Sequence, residues 1–185
     1  MNVITPELRE RILQGKGKFL GEFALPLDPE DREAYKRARG MILDLNNPEE
    51  HKSAACGISR TGKYYTLPQL NVTNHRESSV CGEPGVLMLA ASQHEEIVTM
   101  VAIHGPNENN AEPFVIAPCP LCIMRLDRHA PDAYVIVDSE EESIKAAIPL
   151  ITEDLVKLPA LVLMAIMYPK EHKAREKNGH SETLK

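Results

Sequence analysis

Three cysteines and one glutamate carry the chemistry that this sequence offers. They sit in two short pieces, Cys81-Gly82-Glu83-Pro84 and Pro118-Cys119-Pro120-Leu121-Cys122. Zinc takes soft thiolate ligands in a tetrahedral shell, and a catalytic centre stops at three protein ligands so that water holds the fourth position. Cys119 and Cys122 are three apart, so on a helix both thiols leave one face toward one ion. Glu83 is too close to Cys81 to chelate comfortably, and is well placed to handle the protons of a bound water. Pro84 and Pro120 fit the first turn of a helix, which needs no N–H from them. The helix dipole there favours thiolate over thiol.

Two other readings of the thiols stand beside this one. Cys119-x-x-Cys122 could be a redox dithiol, a reading that leaves Cys81 and Glu83 without a role. Cys56 could be a fourth ligand that closes the centre into a structural one. Cys56 lies in Ala54-Ala55-Cys56-Gly57-Ile58, which reads as a buried strand, where a free cysteine behaves as a small apolar residue.

Taken together, the two pieces match the Cys-x-Glu and Pro-Cys-x-x-Cys signature of the zinc nucleobase deaminases. The chain resembles the small all-cysteine cytidine deaminases, with details like blasticidin S deaminase. The likeness runs from about Pro29 to Pro159. It includes Asn71 ahead of the first piece, the strand-like Ala133 to Asp138, and an Ile-x-x-Leu…Leu-Pro ending from Ile151 to Pro159. The resemblance implies zinc held by Cys81, Cys119 and Cys122, with Glu83 as proton shuttle and Asn71 on the sugar side of a substrate. It implies attack by zinc hydroxide on the amino-bearing carbon of a cytosine ring, followed by loss of ammonia. It also implies a three-layer α/β/α domain around a five-stranded mixed sheet, assembled as a homo-oligomer, tetramer or dimer, with active sites near subunit interfaces.

The chain departs from that pattern at informative places. The arginine that commonly follows the family's glutamate is Pro84 here, and three thiolates outweigh Zn²⁺ by one negative charge. Arg76 and Arg125 are the candidate substitutes. The glutamate two residues after the sugar-contacting asparagine, which accepts hydrogen bonds from ribose in the family, is Thr73. Three functions follow. The first is a deaminase of cytidine or deoxycytidine. The second is a deaminase of a modified cytosine nucleoside or nucleoside antibiotic. The third is a zinc-bearing, non-catalytic binding module, which the intact Glu83 argues against.

Composition narrows the partner. The formal charge is −6 with no basic stripe, so the clustered Lys and Arg of a nucleic-acid surface are missing and a small molecule suits the chain better. Four cysteines in 185 residues do not form a secreted disulfide framework. No apolar run approaches a membrane span, and the expected location is the cytoplasm.

The elements that must position these residues are legible in outline. Thr5-Pro6-Glu7 reads as a capped start for a short helix through Leu13, and residues 1–27 as an N-terminal extension. Asp28-Pro29-Glu30 starts a helix with Ala34, Ala38, Met41, Ile42 and Leu45 at helical spacing, and Gly40 within it points to close packing. Ser53–Ser59 and Tyr64–Leu67 read as strands around a turn, and Leu70–Val72 as a third extended piece before a polar loop. Glu83 to about Glu95 is a helix with Val86, Leu87, Leu89 and Ala90 inward, and Ile97–Ile103 a buried strand. Phe114–Ile116 leads into a helix from Cys119 to about Arg128, and Ala133–Val137 is the next strand. Asp138–Glu142 reads as an acidic loop, and Thr152 as the cap of a helix through Asp154, Leu155 and Val156. The zinc domain covers 28–159. Residues 160–185 form a C-terminal segment whose apolar run, Ala160 to Met167, is a buried core or interface helix followed by a polar tail. Alternating helices and strands make an α/β layered domain.

Overall fold

In the computed structural model, residues 23–45, 51–71, 79–147 and 153–168 are described. The expected helix from Thr5, the polar loop that contains Thr73 and Arg76, the Thr152 position and the tail from 169 lie outside them. In chain order the elements are β1 (Leu25–Pro26), α1 (Pro29–Asp44), β2 (Ser53–Ser59), β3 (Tyr64–Pro68), α2 (Gly82–Ser92) and β4 (Ile97–His104). Then come β5 (Phe114–Ile116), α3 (Pro120–His129), β6 (Tyr134–Asp138), α4 (Glu142–Ala147), β7 (Leu155–Pro159) and α5 (Ala160–Met167).

The strands form one mixed sheet in the order β1-β7-β6-β4-β2-β3, with β5 added on β4. Only β4 and β6 run parallel; the other pairings are antiparallel. The sheet thus has seven strands among the described residues, where the resemblance implied five. The expected five are β3-β2-β4-β6-β7. The additions are short: β1 pairs two residues along β7, and β5 pairs three residues at the carboxyl end of β4. Along β4, β6 pairs with Thr99 to Val101 and β5 takes over from Ala102 to His104. The neighbour of β4 therefore changes at its carboxyl end, and the chain leaving β5 is the one that reaches Cys119.

Strand alternation divides the core in two. Ala55, Met100, Ala102, Val135, Val137, Val156 and Leu158 face a large cluster that also takes residues of α2, α3, α4 and α5. Cys56, Ile58, Val101, Ile103 and Ile136 face the other way, onto Ala34 and Ala38 of α1. Three layers result, as expected.

Helix α1 begins where the sequence indicates, with reciprocal Asp28 and Asp31 capping bonds of 3.0 Å each. Lys157 of β7 reaches both carboxylates, at 2.9 Å to Asp28 and 2.5 Å to Asp31, and so ties that strand to this helix. Gly40 does not mark close packing: a Cβ built there meets nothing within 4 Å.

Two other expectations are corrected. Leu155 and Val156 are not helical; they open strand β7, whose Val156 and Leu158 enter the large cluster while Leu155 packs on the other face. The cap-like Thr152-Glu153-Asp154 suggested the wrong period, and antiparallel pairing with β6 decides it. Residues after the acidic loop, which suggested no element, form the short helix α4. The apolar run after Pro159 is a buried helix, with Ala160 through Met164 no more than 2% exposed.

Candidate metal centre

Helices α2 and α3 present their amino ends to one place, and each has a cysteine as its N-cap. Cys81 (φ −61°, ψ 155°) precedes α2, and Cys119 (φ −64°, ψ 164°) precedes α3. Neither side chain caps its own helix through a hydrogen bond of the usual kind. Both sulfurs instead turn toward Cys122, one turn into α3, and the three lie within 4.8 Å of one another. The Cys119 and Cys122 sulfurs are 3.4 Å apart. A tetrahedral zinc with Zn–S bonds near 2.3 Å needs sulfurs about 3.8 Å apart. The donor set and its spacing fit such an ion.

Charge in the cluster is shared unequally. Hydrogen bonds from the Cys122 and Cys81 thiols, helped by the amides of Cys122 and Leu121, hold Cys119 down at about 2. Its partners move the other way: the bond to Cys119 pushes Cys81 up to about 11, and bonds to Cys119 and Cys81 raise Cys122. Charge is thus drawn toward Cys119, and protons toward Cys81 and Cys122. A divalent cation would replace those protons, which is how metal affinity and proton release become linked.

Glu83 stands in the first turn of α2 and is 4% exposed. Burial pushes its carboxyl upward and the Cys119 charge adds to this, while its own amide and the Cys122 side chain act in the opposite direction. A carboxyl so poised, beside a place for a cation, can take up a proton and give it back.

The first piece is seated by Gly82, which brings no chemistry of its own. A Cβ on Gly82 would lie 2.8 Å from the Leu67 carbonyl oxygen and 2.9 Å from the Ala55 nitrogen, both backbone atoms. Only glycine lets α2 start this close to β2 and β3. Gly57 does the same further along, where a Cβ would meet Val86 at 2.7 Å. Neither glycine has a sequence signal beyond its lack of side chain. Of the residues expected inward on α2, Val86 and Ala90 are buried, whereas Leu89 is 37% exposed.

Asn71 follows the residue that bridges to the strand-like stretch before Cys81. Leu70 pairs with Val80 in an antiparallel bridge, which puts Asn71 on the Ser79 side of it and Gln69 on the Cys81 side. Gln69 Nε2 donates to Asn71 Oδ1 at 2.7 Å, and the Ser53 hydroxyl donates to Gln69 Oε1 at 2.8 Å. Thr73 lies outside the described residues. Cys56 is fully buried on the opposite face of the sheet, where Thr66 donates to its sulfur at 3.2 Å. It has no part in the three-sulfur cluster. Pro84 is buried, and Arg125 is exposed on α3. Among the described residues, the groups that act most on the three thiols are one another, Glu83 and the Cys122 and Leu121 amides, together with burial.

Two solved structures share this arrangement of elements. A cytidine deaminase from Bacillus anthracis superposes with a TM-score of 0.52 at 21% identity, covering 68% of this chain and 90% of that one. A cytidine deaminase from Burkholderia pseudomallei gives a TM-score of 0.52 at 14% identity, covering 71% of this chain and 94% of that one. The fold is that of the cytidine deaminases. No protein-family model matches the sequence, and no curated protein matches it. At such identities the common ground is the deaminase fold, and the chemistry has to be argued from the chain's own residues.

Proposed function

We propose that this chain is a zinc-dependent hydrolytic deaminase of a cytosine-containing nucleoside, of the cytidine or deoxycytidine type. The observation that carries the reading is the meeting of three thiol sulfurs within 4.8 Å beside a buried glutamate in the first turn of α2. Cys81, Cys119 and Cys122 would hold the ion. Zinc, when bound, supplies a Lewis acid that makes water acidic enough to lose a proton near neutral pH.

The chain's own groups do the rest. The Glu83 carboxylate accepts the proton of the attacking water and passes it to the ring nitrogen next to the amino-bearing carbon. It then takes the second proton of that water, now the hydroxyl on the attacked carbon, and gives it to the amino group, so that the C–N bond breaks and ammonia leaves as the carbonyl forms. A burial-raised carboxyl suits both directions, because it binds a proton readily and its neutral form is stable in the site. A glutamate 4% exposed is expensive to keep in a merely structural thiolate cluster, which counts against a non-catalytic binding module. Asn71, held by Gln69, would meet the sugar side.

Exposed apolar side chains border both cysteine pieces: Leu70 at 54%, Val80 at 40% and Leu121 at 59%. They support the proposal that the chain works as a homo-oligomer, tetramer or dimer, with the site near a subunit contact. Among the described residues no helix is long and apolar enough to cross a membrane. All four cysteines are free, in keeping with a reducing cytoplasm.

Thr73 favours a second reading, a deaminase of a modified cytosine nucleoside such as blasticidin S. Threonine is shorter than glutamate and uncharged, and loss of a hydrogen bond to a charged group costs about 1.5–3 kcal/mol, roughly ten- to a hundredfold in affinity. A panel of cytidine, deoxycytidine and modified cytosine nucleosides, followed by loss of the cytosine absorbance band, separates the readings. On the second reading cytidine turns over poorly and Thr73→Glu improves it; on the first, His75, Arg76 or a neighbouring subunit supplies the missing contact and cytidine turns over efficiently. Efficient cytidine turnover that Thr73→Glu impairs would remove the second reading, and no turnover of any member would remove both.

A further inference from the structure

The carbonyl just ahead of each N-cap cysteine accepts one hydrogen bond, and the two donors differ in kind. Ahead of Cys81, the Val80 carbonyl accepts from the Leu70 amide at 2.9 Å, and the Val80 amide returns the bond at 2.9 Å. That half is held by backbone. Ahead of Cys119, the Pro118 carbonyl accepts from the Tyr168 hydroxyl at 2.9 Å, from fifty residues further along the chain. Pro118 is buried and has no N–H, so its carbonyl is the one backbone group through which that residue can be tied. A buried carbonyl without a donor loses the hydrogen bonds that water would give it.

Tyr168 is mounted on the end of a packed helix. It is the C-cap of α5, and its amide closes on the Met164 carbonyl at 2.9 Å. Leu161 to Met164 of that helix share a core cluster with Ile123 and Leu126 of α3, and Tyr168 packs against the same cluster. The carbonyl of Pro118 and the amide of Cys119 are two ends of one planar peptide group. Its tilt fixes the direction in which the Cys119 side chain leaves the backbone.

We propose that Tyr168 is a positioning residue for the metal centre. Its hydroxyl sets the plane of the Pro118–Cys119 peptide and keeps the Cys119–Cys122 half in register with the Cys81 half. The proposal rests on the reading of the three thiols as metal ligands. It gives the apolar run of α5, which has no place in the chemistry by itself, a task beyond filling the core.

Tyr168→Phe keeps the ring and removes only the hydroxyl. Zinc-loaded parent and variant are mixed with a chromophoric chelator to time metal release, and cobalt-loaded samples give the thiolate charge-transfer and d–d bands. Release roughly ten-fold faster is expected, at the low end of the 10- to 100-fold in metal affinity that loss of a supporting residue around a metal site typically costs. A shift in the cobalt bands should accompany it, with far-UV circular dichroism unchanged. Equal release rates with superimposable bands would overturn the proposal. So would a parent that binds no metal, or a variant that does not fold, which would make the hydroxyl a general structural support. Nucleoside turnover is read separately. Fast release from the variant with no deamination by the parent keeps the positioning role and removes the deaminase reading. Normal deamination with equal release rates removes the positioning role alone.

Discussion

The two halves of the centre are built by different means. Cys81 is carried by a helix whose first residue, Gly82, is pressed against the backbone of β2 and β3, and by the Leu70–Val80 bridge. Its position follows from the sheet itself. Cys119 and Cys122 come from a proline-flanked segment that leaves the short strand β5, and the tertiary support there is the buried helix α5. One half is placed by close backbone approach and the other by side chains. The first should therefore tolerate less change at its helix start, and the second should be easier to loosen without unfolding.

The largest effect expected on this comparison comes from the sulfurs. Cys81→Ser and Cys119→Ser should each lower bound zinc well below one ion per chain, because a three-thiolate centre has no spare ligand. Elemental analysis reads this directly. Cys56→Ser, on the far side of the sheet, should leave the metal in place. Zinc lost from Cys56→Ser, or kept in full by Cys119→Ser, would break the assignment of ligands.

Glu83→Gln comes next. It should keep the zinc and the fold while turnover falls ~10²–10⁴-fold, the usual range for loss of general acid–base help. Steady-state rates and metal content on the same preparation check it. A near-normal rate would put the proton shuttle on another residue.

The smallest effect sharpens the contrast between the halves at matched positions, the first residue of each helix. Gly82→Ala forces a Cβ to within 2.8 Å and 2.9 Å of backbone atoms that cannot step aside cheaply. Overpacking of this kind costs about 1–3 kcal/mol, or several degrees of Tm in a chain of this size. Pro120→Ala removes only a pre-set φ and should cost about 0.4–1 kcal/mol. Thermal unfolding of the two variants, with and without zinc, compares the halves. Equal losses would show that the sheet does not hold the first half more tightly than α5 holds the second.

Much of this molecule was legible before any fold was known, and for a physical reason. Cys81, Glu83, Cys119 and Cys122 are informative because a thiolate set needs fixed residue types at short spacings, and short spacings are written in the chain. The same holds for α1, whose start is a local exchange between Asp28 and Asp31, and for β2 and β3 around their turn. What the sequence could not reveal depends on neighbours distant along the chain. Leu155 to Pro159 is a strand because β6 lies beside it, although Thr152-Glu153-Asp154 resembles a helix cap. Gly82 is indispensable because Leu67 and Ala55 come within reach of it, and nothing in Cys-Gly-Glu announces that contact. Strands β1 and β5 are too short to declare themselves and exist through pairing at β7 and β4. Cys56 matched the other three in residue type, and only its place on the opposite face of the sheet, with Thr66 as partner, set it apart from them. Local chemistry was written in sequence; which local pieces meet was decided by the packing of a sheet between two layers of helices.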